Sequence, residues 1–168
     1  MKTWNQALHD SMLSGALASL ASALVASWRT KRESGSAPAA MNATSHWYWG
    51  DRAAARDEAD VKHTALGYAT HHGATMVWST VYEKAFGERA ERSAVHALCG
   101  GAAVAALACF VDYGLTPKRF TPGFEKRLRM GSMAGVYGAL ALGLAAASLV
   151  RRGRGRAVRP GFLRRVED

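Results

Sequence analysis

Met130–Val150 reads MGSMAGVYGALALGLAAASLV, 21 residues without a Lys, Arg, Asp or Glu. A helix rises about 1.5 Å per residue, so a run of this length crosses a hydrocarbon core of about 30 Å. Three further runs share its character. Ser11–Trp28 holds 18 residues without a charge, His63–Tyr82 holds 20, and Ser93–Leu115 holds 23 with Asp112 as its one acid. The sequence therefore predicts an all-α fold: an up-down bundle of four transmembrane helices, at about 11–28, 63–83, 93–115 and 130–150. They form one integral membrane domain over 1–168, with a long first loop at 29–62 and a basic tail at 151–168.

Bulk composition hides this layout. The chain has 168 residues, 22 Lys+Arg against 13 Asp+Glu, a formal charge of +9 and 49% hydrophobic residues. Its mean hydropathy is −0.11. Those averages suit a small basic soluble domain, but the charges sit almost wholly in the connections. Helices of a soluble bundle would each carry a polar face, whereas these runs are apolar or small all round. The first run is short and rich in Ser and Ala, and a cleaved signal peptide is its alternative reading. His9 and Asp10 before it and the basic residues after it favour a retained helix.

The first loop opens Arg29-Thr30-Lys31-Arg32 and contains the aromatic run Trp47-Tyr48-Trp49, expected at headgroup level. It ends in a helix-prone stretch, Asp51–Lys62, where Glu58 and Lys62 suit an i,i+4 pair. The short second loop, about 84–92, makes the second and third spans an antiparallel hairpin. Lys+Arg counts on the two sides tie at eleven each, so the positive-inside rule is undecided by counting. The Arg-rich start of the tail favours cytoplasmic termini. Arg151, Arg152, Arg154 and Arg156 are expected to meet anionic lipid headgroups. Their place beside a span end argues against nucleic acid.

Small residues recur at four-residue spacing within the spans: Ser11, Gly15, Ser19, Ala23 and Ser27; Ala97, Gly101, Ala105 and Cys109; Gly131, Gly135, Ala139, Gly143 and Ala147. Lipid tails are as apolar as Leu, so close backbone approach at such positions drives helix association. Gly15, Gly101, Gly131, Gly135 and Gly143 are the expected packing positions. The same faces would serve a homo-oligomer or another membrane protein.

Candidate chemistry centres on His63, Gly67, His71, Thr75 and Ser79, a polar four-spaced row with His72 beside it. His71 and His72 fall near the bilayer midplane, where ionisable groups mark proton, ion or ligand paths or else hydrogen-bond neighbouring helices. His63 and Asp112 lie at matching levels, and His46 in the long loop could join them. Together His46, His63, His71, His72 and Asp112 make a candidate proton, ion or ligand site. His96 lies at a different depth from His71 and His72, against a bis-His haem, and no cofactor is expected. Cys99 and Cys109 lie about 15 Å apart on one helix, beyond disulfide reach. No metal-ligand spacing, phosphate loop, nucleophile elbow or paired-carboxylate site is present, so neither a metal site nor an enzyme is expected.

Four spans, a first loop carrying Pro38, Asn42 and His46, the segment Gly114-Leu115-Thr116-Pro117 after the third span, and the basic tail together resemble the YagU-like group of small bacterial inner-membrane proteins. The resemblance implies an inner-membrane location and a link to acid tolerance. It carries over no catalytic residues.

Overall fold

The computed structural model describes residues 1–157, and these are helical without a strand. Helix α1 runs Trp4–Ser34. Three short helices follow, α2 (Ala39–Thr44), α3 (His46–Trp49) and α4 (Asp51–Ala54). The longer α5 (Leu66–Tyr82) is flanked by π-helical turns at Val61–Ala65 and Glu83–Gly87 and leads into α6 (Glu88–Arg92). A break at Ser93 starts α7 (Ala94–Phe110), which ends in a third π-helical turn, Val111–Leu115. Helix α8 covers Met130–Ala157. Three helices are long and apolar enough to cross a membrane: Trp4–Ser34, Ala94–Leu115 and Met130–Arg154. That is the length and composition of a membrane protein. Helix α5, which has 17 residues and carries a row of His, Thr and Ser, is not among these three.

Helix α1 is longer than the charge-free run because its ends are well capped. Thr3 and Gln6 form a capping box, with the Gln6 amide donating to Thr3 Oγ1 at 3.3 Å and the Thr3 amide to Gln6 Oε1 at 2.9 Å. At the other end Gly35 takes the left-handed conformation, φ +82°, and its amide donates to the Lys31 carbonyl. The helix is thus about 46 Å long, more than a hydrocarbon core needs. The first connection begins at residue 35, not 29. Helix α8 likewise continues to Ala157, so the first seven residues of the expected tail are helical. Residues 158–168 of that tail lie outside the described residues.

Burial on α1 is inverted relative to a water-soluble helix. Ser11, Ser14, Ser19, Ser22 and Thr30 are buried, while Leu8, Met12, Leu20, Leu24 and Trp28 are half or more exposed. The inward hydroxyls are satisfied locally: Ser22 donates to the Ala18 carbonyl at 2.7 Å and Thr30 to the Ala26 carbonyl at 3.0 Å. Such back-bonding to the preceding turn leaves their oxygen lone pairs free for a neighbouring helix.

Helix α1 packs along both α8 and α5, and α7 packs along α8, whereas α5 and α7 meet over only a short stretch. Glycine sets three of these crossings. Gly15 faces Met76 and Ser79 on α5, Gly143 faces the Ala18 backbone on α1, and Gly101 faces the Ala141 carbonyl on α8; a Cβ at any of them would collide. Gly131 and Gly135 do not share this role. Both are exposed, a Cβ at Gly131 would meet open space, and one at Gly135 would only touch Val25. A four-residue step overshoots a helical turn by about 40°, so a five-position row sweeps about 160°. It cannot face one partner along its length, and only its second half reaches α1.

The hairpin of α5 and α7 closes at its turn, where Phe86 fills the space beside Gly100, and opens away from it. There α2–α4 and residues 116–128 fold over the bundle end. Asn42 ties this cap together: its amide donates to the Arg56 and Glu58 carbonyls and its Oδ1 accepts from Thr64 at 2.6 Å. Residues 55–60 are not helical, so Glu58 and Lys62 form no pair, and Lys62 Nζ lies 4.2 Å over the Trp49 ring instead.

Gly143→Val is expected to cost more than the about 1–3 kcal/mol typical of overpacking, because the group it meets is backbone. Gly135→Val on the same row should stay within about 0.5 kcal/mol of the parent. Thermal unfolding of the two variants side by side in detergent checks this.

Candidate functional site

The opening between α5 and α7 is a cavity of about 200 Å³. Its wall includes Ser22, His71, Thr75 and Trp78, then Asp112 and Tyr137, with Trp47, Phe120 and Phe124 contributed by the cap. The site thus draws on all four longer helices. The four-spaced row on α5 brings His71 into it, and the last, π-helical turn of the Ala94–Leu115 helix carries Asp112. Turns of this kind recur at functional sites.

His71 is anchored on one edge. Its Nε2 lies 2.9 Å from Ser22 Oγ and 3.3 Å from the Ser19 carbonyl. A carbonyl only accepts, and Ser22 spends its proton on Ala18, so the network assigns the proton to Nε2. Nδ1 then carries a lone pair, and no hydrogen bond reaches it among the described residues. The ring edge meets Phe124 with centroids 5.5 Å apart. Across the wall, Tyr137 donates to Asp112 Oδ2 at 2.6 Å, and Tyr113 stacks edge-on against Tyr137.

The other candidates go elsewhere. His72 bonds Ser19 Oγ at 2.8 Å and stacks on Tyr68, so it fastens α5 to α1. His63 pairs with Asp60, whose Oδ1 accepts from the His63 amide at 2.6 Å and so caps this helix. Hydrogen bonds from the His63 amide and then its ring hold the Asp60 carboxyl below the usual carboxylate range. Its contribution to stability is therefore present above the unfolded-state value and is lost as pH falls through the lower folded-state one. His46 is buried in the cap, with Nδ1 donating to the Ala43 carbonyl at 2.8 Å. The expected grouping of His46, His63 and Asp112 is thus not formed, because His46 and His63 are taken up by neighbours in sequence and Asp112 by Tyr137 of α8. Trp47 is packed within the cap: its Nε1 donates to the Thr121 carbonyl and its ring packs edge-on against Phe120.

A second polar centre lies at the opposite end of the bundle. Lys2 Nζ sits 2.6 Å from Asp10, 2.8 Å from Glu83 and 2.6 Å from Glu91, and Glu83 has no exposed surface. Arg151 bonds Glu83 at 2.5 Å and Glu91 at 2.8 Å. Arg151 is therefore an internal ion-pair partner, not a headgroup ligand, while Arg152 and Arg154 remain at least partly exposed. The side chain of Arg156 lies outside those described. One signal could have revealed Glu83: the row His63, Gly67, His71, Thr75, Ser79 continues in step through Glu83 and Gly87, and all seven are buried.

Comparison with protein-family models, with curated proteins and with solved structures finds no match to this chain. The functional reading therefore rests on geometry.

Burial opposes the charge on Lys2, yet its hydrogen bonds to Asp10, Glu83 and Glu91 outweigh that and hold the ammonium above the usual lysine value. Its stabilisation is complete at neutral pH and is lost as pH rises through that raised value. Lys2→Met, which leaves Asp10, Glu83 and Glu91 with Arg151 as their one remaining cation in the cluster, is expected to cost on the order of 3 kcal/mol, the low end for a broken buried pair, and Glu83→Gln in the same chain should recover part of it. Thermal unfolding of the single and double variants checks both.

Proposed function

We propose that this chain is a four-span protein of the bacterial inner membrane that handles protons or small cations through the cavity of His71 and Asp112. The observation that carries the reading is the meeting of these two groups in one cavity inside an apolar bundle. A carboxylate and an imidazole with a free lone pair are groups that gain and lose protons, and ionisable side chains at such depth mark functional paths. The resemblance to YagU-like proteins, with its implied link to acid tolerance, agrees with it. Helix α5 serves as the remaining span: its polar row faces inward, while Ala69, Gly73 and Val77 face outward.

The start of α1, the end of α8, α6 and the ion cluster share one side of the bundle, which we take as cytoplasmic, with Arg152 and Arg154 at anionic headgroups. A second reading, an accessory subunit docking a second copy or another membrane protein, draws on the exposed Gly131, Gly135 and Gly138 of α8, which leave room for a close neighbour.

In proteoliposomes holding a pH-sensitive dye, Asp112→Asn is expected to slow proton entry at least tenfold while the protein still elutes as a single species. Equal rates in parent and variant, or none above protein-free vesicles, would overturn the reading. For orientation, Glu58→Cys in a Cys99→Ser, Cys109→Ser background should react with an impermeant maleimide in spheroplasts. Arg154→Cys should react only after permeabilisation. The reverse pattern would invert the topology.

A further inference from the structure

The donors and acceptors around the cavity are unevenly spent. Ser22 donates to the Ala18 carbonyl, Thr44 to Ala40, Thr70 to Leu66 and Thr75 to His71, each within its own helix. Tyr137 spends its proton on Asp112, and Trp47 spends its N–H on Thr121. His71 points its N–H toward Ser22 and Ser19. These groups therefore spend their hydrogens away from the cavity, and Thr44, Thr70, Thr75, Tyr137 and His71 keep lone pairs. Asp112 is the one carboxyl in the wall, and five aromatic side chains, Trp47, Trp78, Phe120, Phe124 and Tyr137, share the rest with hydroxyl-bearing and aliphatic residues.

The polar and aromatic part of this lining is mainly electronegative. Aromatic faces carry partial negative charge and attract cations, with quaternary ammonium groups held in aromatic cages as the recurrent case. An anion would meet the Asp112 carboxylate, with only the Trp78 indole N–H and the Thr116 hydroxyl not already donated to another of the described residues. A hard metal ion needs six or more oxygen ligands around it, and here rings occupy much of the wall. At about 200 Å³ the cavity lies below the roughly 300–1,000 Å³ of drug-sized pockets, so its occupant is small. Phe120 lines the cavity and is half exposed, which puts the mouth at the cap.

We infer that the cavity binds a small organic ammonium cation, with Asp112 as counter-ion and Trp47, Trp78, Phe120 and Tyr137 as its aromatic walls. From the reading above it takes only the assignment of this cavity as the functional site.

The test is calorimetric titration of the purified full chain in detergent with choline, whose charge does not depend on pH, and with its neutral isostere 3,3-dimethylbutan-1-ol. Saturable choline binding, at least tenfold weaker binding of the isostere, and at least tenfold weaker choline binding by Asp112→Asn are expected. Trp47→Leu should weaken choline by a similar factor and guards against loss of fold in the Asp112 variant. Absence of saturable choline binding, or equal affinity for the isostere, overturns the inference. Proton entry is measured with no organic cation present, so the two readings fail separately. Proton entry without choline binding overturns only this inference, and choline binding without proton entry overturns only the proton reading.

Discussion

Hydrocarbon offers no hydrogen bonds, and this single constraint organises the molecule. A hydroxyl or imidazole on a membrane helix must find its partner inside the protein. Helix α1 meets the demand by turning its serines inward and its leucines outward, the reverse of what water selects. Ser19 and Ser22 then serve twice, donating to their own helix and accepting from histidines on α5. The Ser22–His71 and Ser19–His72 contacts fix the register of α5 against α1. Glycine supplies the approach that makes such contacts reachable, since Gly15 brings the two backbones together beside Ser79.

The cavity follows from the same packing. Helices α1 and α8 hold α5 and α7 on separate flanks, and the large Phe86 at the turn props the hairpin where it begins. Away from that turn no small-residue row brings α5 onto α7. The cap enters the resulting gap with aromatic rings instead of a fourth helix–helix seam. A polar residue placed there is shielded from lipid yet not consumed by packing, which is the condition that lets Asp112 and His71 remain available.

The local sequence carried the bundle because apolar runs and four-spaced rows are properties of short windows. His63, Gly67, His71, Thr75 and Ser79 read as one inward face, and they are one. Other features depend on partners far along the chain. Glu83 looks like the end of a span to a local reading, since a charge there marks water. Its counter-ions are Lys2 and Arg151, 81 and 68 residues away, and no window contains them. Gly131 and Gly135 read as contacts by spacing alone, but helical drift turns them away from α1. Asp112 was visible as an isolated acid. Tyr137, its actual partner, was not, because one tyrosine in an apolar helix has many uses.

The ion cluster also orders events in time. Its cations are Lys2, just ahead of the α1 cap, and Arg151 in the last third of α8, and its most buried anion comes from between them. During synthesis Glu83 meets Lys2 early, but the second counter-charge arrives only when the final helix is in place. A fragment lacking α8 would set Lys2 alone against Asp10, Glu83 and Glu91, and α8 brings the second cation, Arg151, to the most buried of them.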